Sequence, residues 1–225
     1  MLKEFSFFLL LPKLNDNPIS LSFKKSISLT AKMILLYFGL AILTSLLFFP
    51  ILKLLNLLPG KGLRLSEIPL SFKLIFFIPI IEEIIFRLPL KFSKQNLFLS
   101  LAAFQFILFY HTYSLFILII ISLTIALIPY MRLMPETFYS RLGLIWKNYF
   151  PLVYYGLAIC FGLVHLSNFH NVRTAHYLVF PLIVSNQIIM GLIFGYVRVT
   201  FRNGFIYSVL LHFLINLTFI WIFHL

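Results

Sequence analysis

At 225 residues the chain has room for one integral domain and no separate soluble one. It is 61% hydrophobic and 11% charged, against about 45–50% and about 25% in soluble domains, which excludes an ordinary water-soluble fold. The formal charge of +12 does not mark a nucleic-acid binder. The basic residues lie between apolar runs, where they fix topology and meet anionic headgroups, and no tract interleaves them with exposed aromatics.

Residues 1–30 read as an N-terminal cytoplasmic or interfacial segment. Its apolar stretch 5-FSFFLLLP-12 is short, ends at a proline and lacks a small-residue cleavage site, so it suits the headgroup layer better than a signal peptide. Residues 31–225 read as a transmembrane bundle. Spans are expected at about 33–57, 70–90, 96–111, 113–131, 149–167, 178–198 and 204–223, with 96–111 and 113–131 forming a tight hairpin. The breaks are 59-PGKGLRLSE-67, 91-KFSKQN-96, 135-PETFYSRLG-143, 167-SNFHNVRTAH-176 and 201-FRNG-204. The expected fold class is therefore all-α, a polytopic bundle of about seven spans. An N-terminus in the cytoplasm puts thirteen Lys and Arg inside and five outside, which points to a multi-pass plasma-membrane protein in that orientation. The single cysteine, Cys160, allows no intrachain disulfide and is expected as a small core residue of a span.

The chemistry concentrates in three pairs of residues, each spaced by one helical turn. Only six acidic residues occur, and two of them, Glu82 and Glu83, sit side by side in 70-LSFKLIFFIPIIEEIIFRLPL-90. A carboxylate in hydrocarbon costs about 2.5–3.5 kcal/mol on insertion scales, so the pair demands either a function or a structural partner. Glu83 and Arg87 share a helix face and can form a structural ion pair. Glu82 points about 100° away, so its partner must come from another span. Pro79 removes a hydrogen bond to the Ile75 carbonyl, and the resulting kink opens room for water beside Glu82. Phe161 and His165 form the second pair, His212 and Asn216 the third. Taken singly, each is equally well explained as bundle glue.

In this order and on separate spans, Glu-Glu-x-x-x-Arg, Phe-x-x-x-His and His-x-x-x-Asn resemble the CAAX-protease and bacteriocin-processing family of intramembrane proteases, which includes the type II CAAX prenyl endopeptidases. The resemblance covers about residues 70–222. The tract 187-QIIMGLIFGYVRVTFRNGFIYSVLLHFLIN-216 adds to it, with Gln187, Gly191 and Gly195 on one face. One departure is an 83-residue separation of Glu82 and His165, with an extra hairpin between them. Another is depth: Glu82 reads as mid-span and His165 as near a span end, an offset of roughly 8 Å at 1.5 Å per residue.

A carboxylate kept from bulk water suits a general base. The roles expected, which the resemblance also implies, are Glu82 as base, His165 holding the attacking water, and His212 and Asn216 donating to the oxyanion. Glu83, Arg87 and Phe161 support them. No cofactor is required on this view. A zinc version with Glu82, His165 and His212 as ligands is the alternative in donor chemistry, and the family has been described in both ways. Other intramembrane protease types fit worse: the chain has no His-Glu-x-x-His run, its only aspartate is Asp16, and no Gly-x-Ser motif presents Ser208. The expected substrate is a peptide or membrane protein. Two other functions stay open on sequence: an ion-coupled transporter using Glu82 and His212 as a proton relay, and an inactive family member acting as a binding or immunity protein.

Overall fold

A computed structural model describes residues 2–55, 57, 77–112, 135–168 and 174–224, the side chains of 2, 109–112, 167, 168, 174–176, 220 and 222–224 excepted. The described chain is helical, with one isolated parallel bridge between Ile19 and Phe201. The helices are α1 (Leu2–Leu10), α2 (Phe23–Leu54), α3 (Ile78–Arg87), α4 (Lys94–Thr112), α5 (Glu136–Asn148), α6 (Phe150–Leu163), α7 (Phe180–Ile183), α8 (Ser185–Thr200) and α9 (Gly204–His224). Short 3-10 turns at Leu88–Leu90, Val164–Asn168 and Thr174–Val179 follow α3, follow α6 and precede α7.

Among the described residues, α2 alone is long and apolar enough to cross a membrane by itself. Two bent pairs bring the number to three if each is one span: Glu136–Asn148 with Phe150–Leu166 at 76°, and Tyr177–Ile183 with Ser185–Thr200 at 60°. The first bend falls where Pro151, in the opening turn of α6, has no N–H to continue the ladder from α5. The second falls at Val184, which is fully buried and packs toward Gly162. The span expected at 113–131, the 59–67 break and Ile75 lie outside the described residues, as do the side chains of His111, His170, His176 and His224.

Helix α8 is the hub and packs against α2, α3, α6 and α9. Met190, Ile193, Phe194 and Val197 on α8 meet Met33 and Tyr37 of α2, Phe86 of α3, Phe161 of α6, and Leu211 and Ile215 of α9 in one core. Glycines set the α6–α8 approach. A Cβ on Gly191 would stand 3.1 Å from the Ala158 backbone, and one on Gly195 2.7 Å from the Tyr154 ring. Close backbone approach through small residues is how helices associate where lipid competes for apolar surface.

Two stretches gain structure that the sequence left open, and one expectation changes. The polar 135–143 stretch is helical, forming the first two turns of α5, with Glu136 in its first turn and Lys147 in its last, as the helix dipole favours. None of its residues is buried, and Lys94–Glu136 (3.4 Å) and the Phe92–Tyr139 stack tie it to the start of α4. The N-terminal apolar stretch forms α1, whose Phe5 and Phe8 rings pack edge-on against Tyr196 and Tyr154, while the Tyr155 hydroxyl donates to the Leu9 carbonyl. Cys160 is exposed rather than in the core, because Tyr154, Ala158, Phe161 and Gly162 take the buried side of α6.

Candidate active site

Glu82 lies in the second turn of α3, since the helix begins at Ile78 with Pro79 in its first turn. Proline is tolerated there because its missing N–H has no helical partner at that position. His165 sits in the 3-10 turn just beyond the end of α6. The offset expected between them is closed: His165 Nε2 stands 3.9 Å from Glu82 Oε1. His212 of α9 approaches the same carboxylate from the other side, Nε2 to Oε2 at 3.4 Å. Three elements thus meet at one carboxylate.

The imidazole roles follow from their other nitrogens. His165 Nδ1 is 2.7 Å from the Phe161 carbonyl, which can only accept, so Nδ1 carries the proton. With the proton on Nδ1, a neutral ring would turn the lone pair of Nε2 toward Glu82. Phe161 also packs its ring edge-on to His165 with centroids 4.9 Å apart, so one residue fixes the histidine twice. His212 Nδ1 donates to Glu83 Oε1 at 3.1 Å, leaving Nε2 as the nitrogen that faces Glu82. When doubly protonated, this ring donates to both glutamates.

Exposure separates the two carboxylates. The side chains of Glu82 and His165 keep 17% and 16% of their surface, whereas His212 keeps 2% and Glu83 none. The site is therefore open on the Glu82–His165 side and closed behind His212. Glu83 Oε2 pairs with Arg87 Nε at 3.5 Å, both groups fully buried. The contact is ionic without hydrogen-bond geometry, and Glu83 Oε2, Arg87 Nε and Nη2 have no hydrogen-bond partner among the described residues. The guanidinium instead lies 4.5 Å from the Phe161 ring centroid and 5.6 Å from that of Phe194. Cation–π attraction rises when the pair is desolvated, to about 2 kcal/mol or more.

Asn216 is one turn beyond His212 on α9 and half-buried, with no hydrogen bond to a described residue. Ser208, one turn before His212, is buried beside Glu83, and its hydroxyl donates to the Phe205 carbonyl at 2.9 Å. Among the described residues no three of His, Cys, Asp and Glu gather closely enough to hold a metal ion.

Two partnerships were not expected from sequence. The first is the His212–Glu83 hydrogen bond. The second is Arg198, read as a cation at a span boundary. It lies in the last turn of α8, is 8% exposed, and donates from Nε to the Arg87 carbonyl at 3.1 Å. That contact satisfies a terminal carbonyl of α3 with a cation, as a helix C-terminus favours. The available signal was its spacing: Arg198 follows Gly191 by two turns and so falls on the buried stripe of α8. Compared with family models, with curated proteins and with solved structures, the chain matches none.

Proposed function

We propose that this chain is an intramembrane endopeptidase of the CAAX-protease and bacteriocin-processing kind. It hydrolyses a peptide bond of a membrane-associated or peptide substrate with a water activated by Glu82. In this proposal the protein is a multi-pass plasma-membrane bundle of about seven spans with its N-terminus in the cytoplasm. The observation that carries it is the carboxylate of Glu82 faced by two imidazole nitrogens from two other elements, at 3.9 and 3.4 Å, on the open side of a buried ion pair.

The steps follow from those positions. A water beside Glu82 and the His165 lone pair gives its proton to Glu82 while its oxygen attacks the substrate carbonyl carbon. Glu82 and His165 are close enough for one water to touch both. Negative charge develops on the carbonyl oxygen, where the Asn216 amide and a protonated His212 donate to it. Glu82 then returns the proton to the departing amine as the carbon–nitrogen bond breaks. Glu83 holds the His212 proton on Nδ1 and Arg87 balances the Glu83 charge. Each step uses this chain's own residues, and none is routed through zinc.

The test is direct. The purified chain in detergent is mixed with a library of quenched fluorogenic peptides, and cleavage products are read by mass spectrometry. Cleavage by the wild type and none by Glu82→Gln supports the proposal. No cleavage by either, or equal cleavage by both, overturns it.

A further inference from the structure

Helix α5 has three unlike sides. On one, the Tyr139 and Trp146 rings stand 4.9 and 5.7 Å from the Phe92 ring between centroids, and a Cβ on Gly143 would come within 3.3 Å of it. On the second, Glu136 and Lys147 are held by ion pairs to Lys94 and Asp16. The third is apolar and uncovered. Phe138, Leu142, Ile145 and Tyr149 follow one another at spacings of four, three and four, which is the stripe of an amphipathic helix. Phe138, Ile145 and Tyr149 keep 47%, 53% and 62% of their surface. Leu144, exposed outside this stripe, departs from the pattern.

Two observations say what covers the stripe. The first is continuity. Tyr149 ends α5 and begins α6, and the exposed side of α6 runs on from it through Leu152 and Ile159. In a membrane bundle that side of α6 faces lipid, so the stripe on α5 extends the same surface around the bend. The second is the bend itself, 76°. Helix α6 and the 3-10 turn after it cover Phe150–Asn168. At about 1.5 and about 2.0 Å per residue they reach about 31 Å, the thickness of a hydrocarbon core. Helix α6 thus crosses without help from α5. Spans tilt about 20° from the bilayer normal on average, so α5 lies close to the membrane plane. Arg141, exposed one turn before Ile145, suits a lipid phosphate, and Tyr149 has the ring favoured at headgroup level.

We propose that α5 is an interfacial helix and not the first half of a bent span. Its Phe138–Tyr149 stripe sits in the boundary between lipid headgroups and acyl chains, and the bilayer is its partner. The inference rests on the membrane-bundle reading above and not on the peptidase chemistry. Helices of this kind bury their apolar side about 5–10 Å into that boundary. The seat fixes the depth at which α6 enters the bundle, and with it the level of His165 beyond its other end.

The experiment uses the full chain with Cys160→Ser and one new cysteine at a time, spin-labelled and reconstituted in vesicles of phosphatidylcholine and phosphatidylglycerol. Depth is read from collisions with oxygen, which concentrates in lipid, and with a water-soluble nickel chelate. Phe138→Cys and Ile145→Cys report the stripe, Ser140→Cys the polar side, and Ile42→Cys and Ile159→Cys the spans α2 and α6; all five positions are exposed. Both stripe labels are expected about 5–10 Å below the phosphates and at equal depth, with the Ser140 label in water. A helix continuing the span would instead separate Phe138 from Ile145 by about 10 Å in depth, and that result overturns the proposal. Stripe labels in water also overturn it. So do stripe labels shielded from both reagents, which would put a second copy or another segment of the chain on the stripe. Labels at Ile42 and Ile159 that lie in water overturn the membrane-bundle reading itself, and this inference with it.

Discussion

One residue turns a helix by about 100°, and at Glu82 and Glu83 that rotation separates two chemistries. Glu82 meets two histidines at an open edge, while Glu83 is buried between Arg87 and His212. Glu82→Gln keeps the shape and removes the proposed base. It is expected to lower kcat by at least about 10²–10⁴-fold with an unchanged melting temperature, both measurable on purified protein. Glu83→Gln leaves Arg87 buried without its counter-charge, and breaking a buried pair costs about 3–5 kcal/mol. It should therefore lower the melting temperature as well as weaken activity, because the amide no longer holds the His212 proton as a carboxylate does. Equal activity loss at wild-type stability for both variants would contradict this division. Asn216→Ala removes one proposed oxyanion donor and is expected to cost about 10²–10³ in kcat with KM little changed. The Glu83–Arg87 pair was legible because spacing along one helix fixes it. The His212–Glu83 bond was not, because nothing in sequence spacing sets the rotation of α9 against α3.

Helix α6 carries Phe161 and leads into His165, and α8 carries Phe194, which packs on His212. Their crossing at Gly191 and Ala158 therefore sets how far His165 stands from Glu82. A side chain at Gly191 meets backbone atoms of Ala158 at 3.1 Å, which cannot move aside as a flexible side-chain end can. Gly191→Leu is expected to destabilise by about 1–3 kcal/mol and to cost more activity than stability, since it drives α6 away from the carboxylate. Retained activity in a folded Gly191→Leu protein, assayed alongside its thermal melt, would refute that coupling. At this scale the apolar runs that became α2 and α9 were plain from composition, since each is apolar nearly all round, whereas α4 carries Lys94, Gln95, Asn96 and Gln105 and was less plainly marked. Helix α5 was hidden by its own amphipathic character: Pro135, Glu136, Ser140 and Gly143 give the composition of a loop, although Pro135 precedes the helix rather than interrupting it. The bends at Tyr149 and Val184 had only the weak signal of nearby prolines. Those bends let short segments turn at the bundle edge, and the first directs α6 so that its far end reaches α3.

For the whole molecule, metal dependence and orientation can both be checked. If a glutamate-activated water does the chemistry, activity survives thorough chelation; stoichiometric zinc in purified protein, with activity lost on its removal, would make Glu82, His165 and His212 ligands instead. Orientation has a sharper handle. Asp16 and Lys147 form an ion pair at 2.9 Å, joining the segment after α1 to the end of α5. The pair itself is exposed and contributes at most about 1 kcal/mol. Its value is positional: in the proposed multi-pass arrangement it would put two distant stretches on one side of the bilayer. Ile19 adds a second tie to the α8–α9 turn, accepting from the Arg202 N–H at 3.0 Å. With Cys160 replaced by serine, single cysteines at Asn15, Lys147 and Arg202 should therefore respond alike to a membrane-impermeant maleimide. With the N-terminus in the cytoplasm, all three are expected to stay unlabelled in intact cells and to label once the cells are opened. Labelling of all three in intact cells would reverse the orientation, and the positive charge gathered at Lys24, Lys25, Lys32, Lys147 and Arg202 would then lie on the side that the charge rule disfavours. A split result would break the link between the N-terminal segment, α5 and the α8–α9 turn, which no change of orientation can repair.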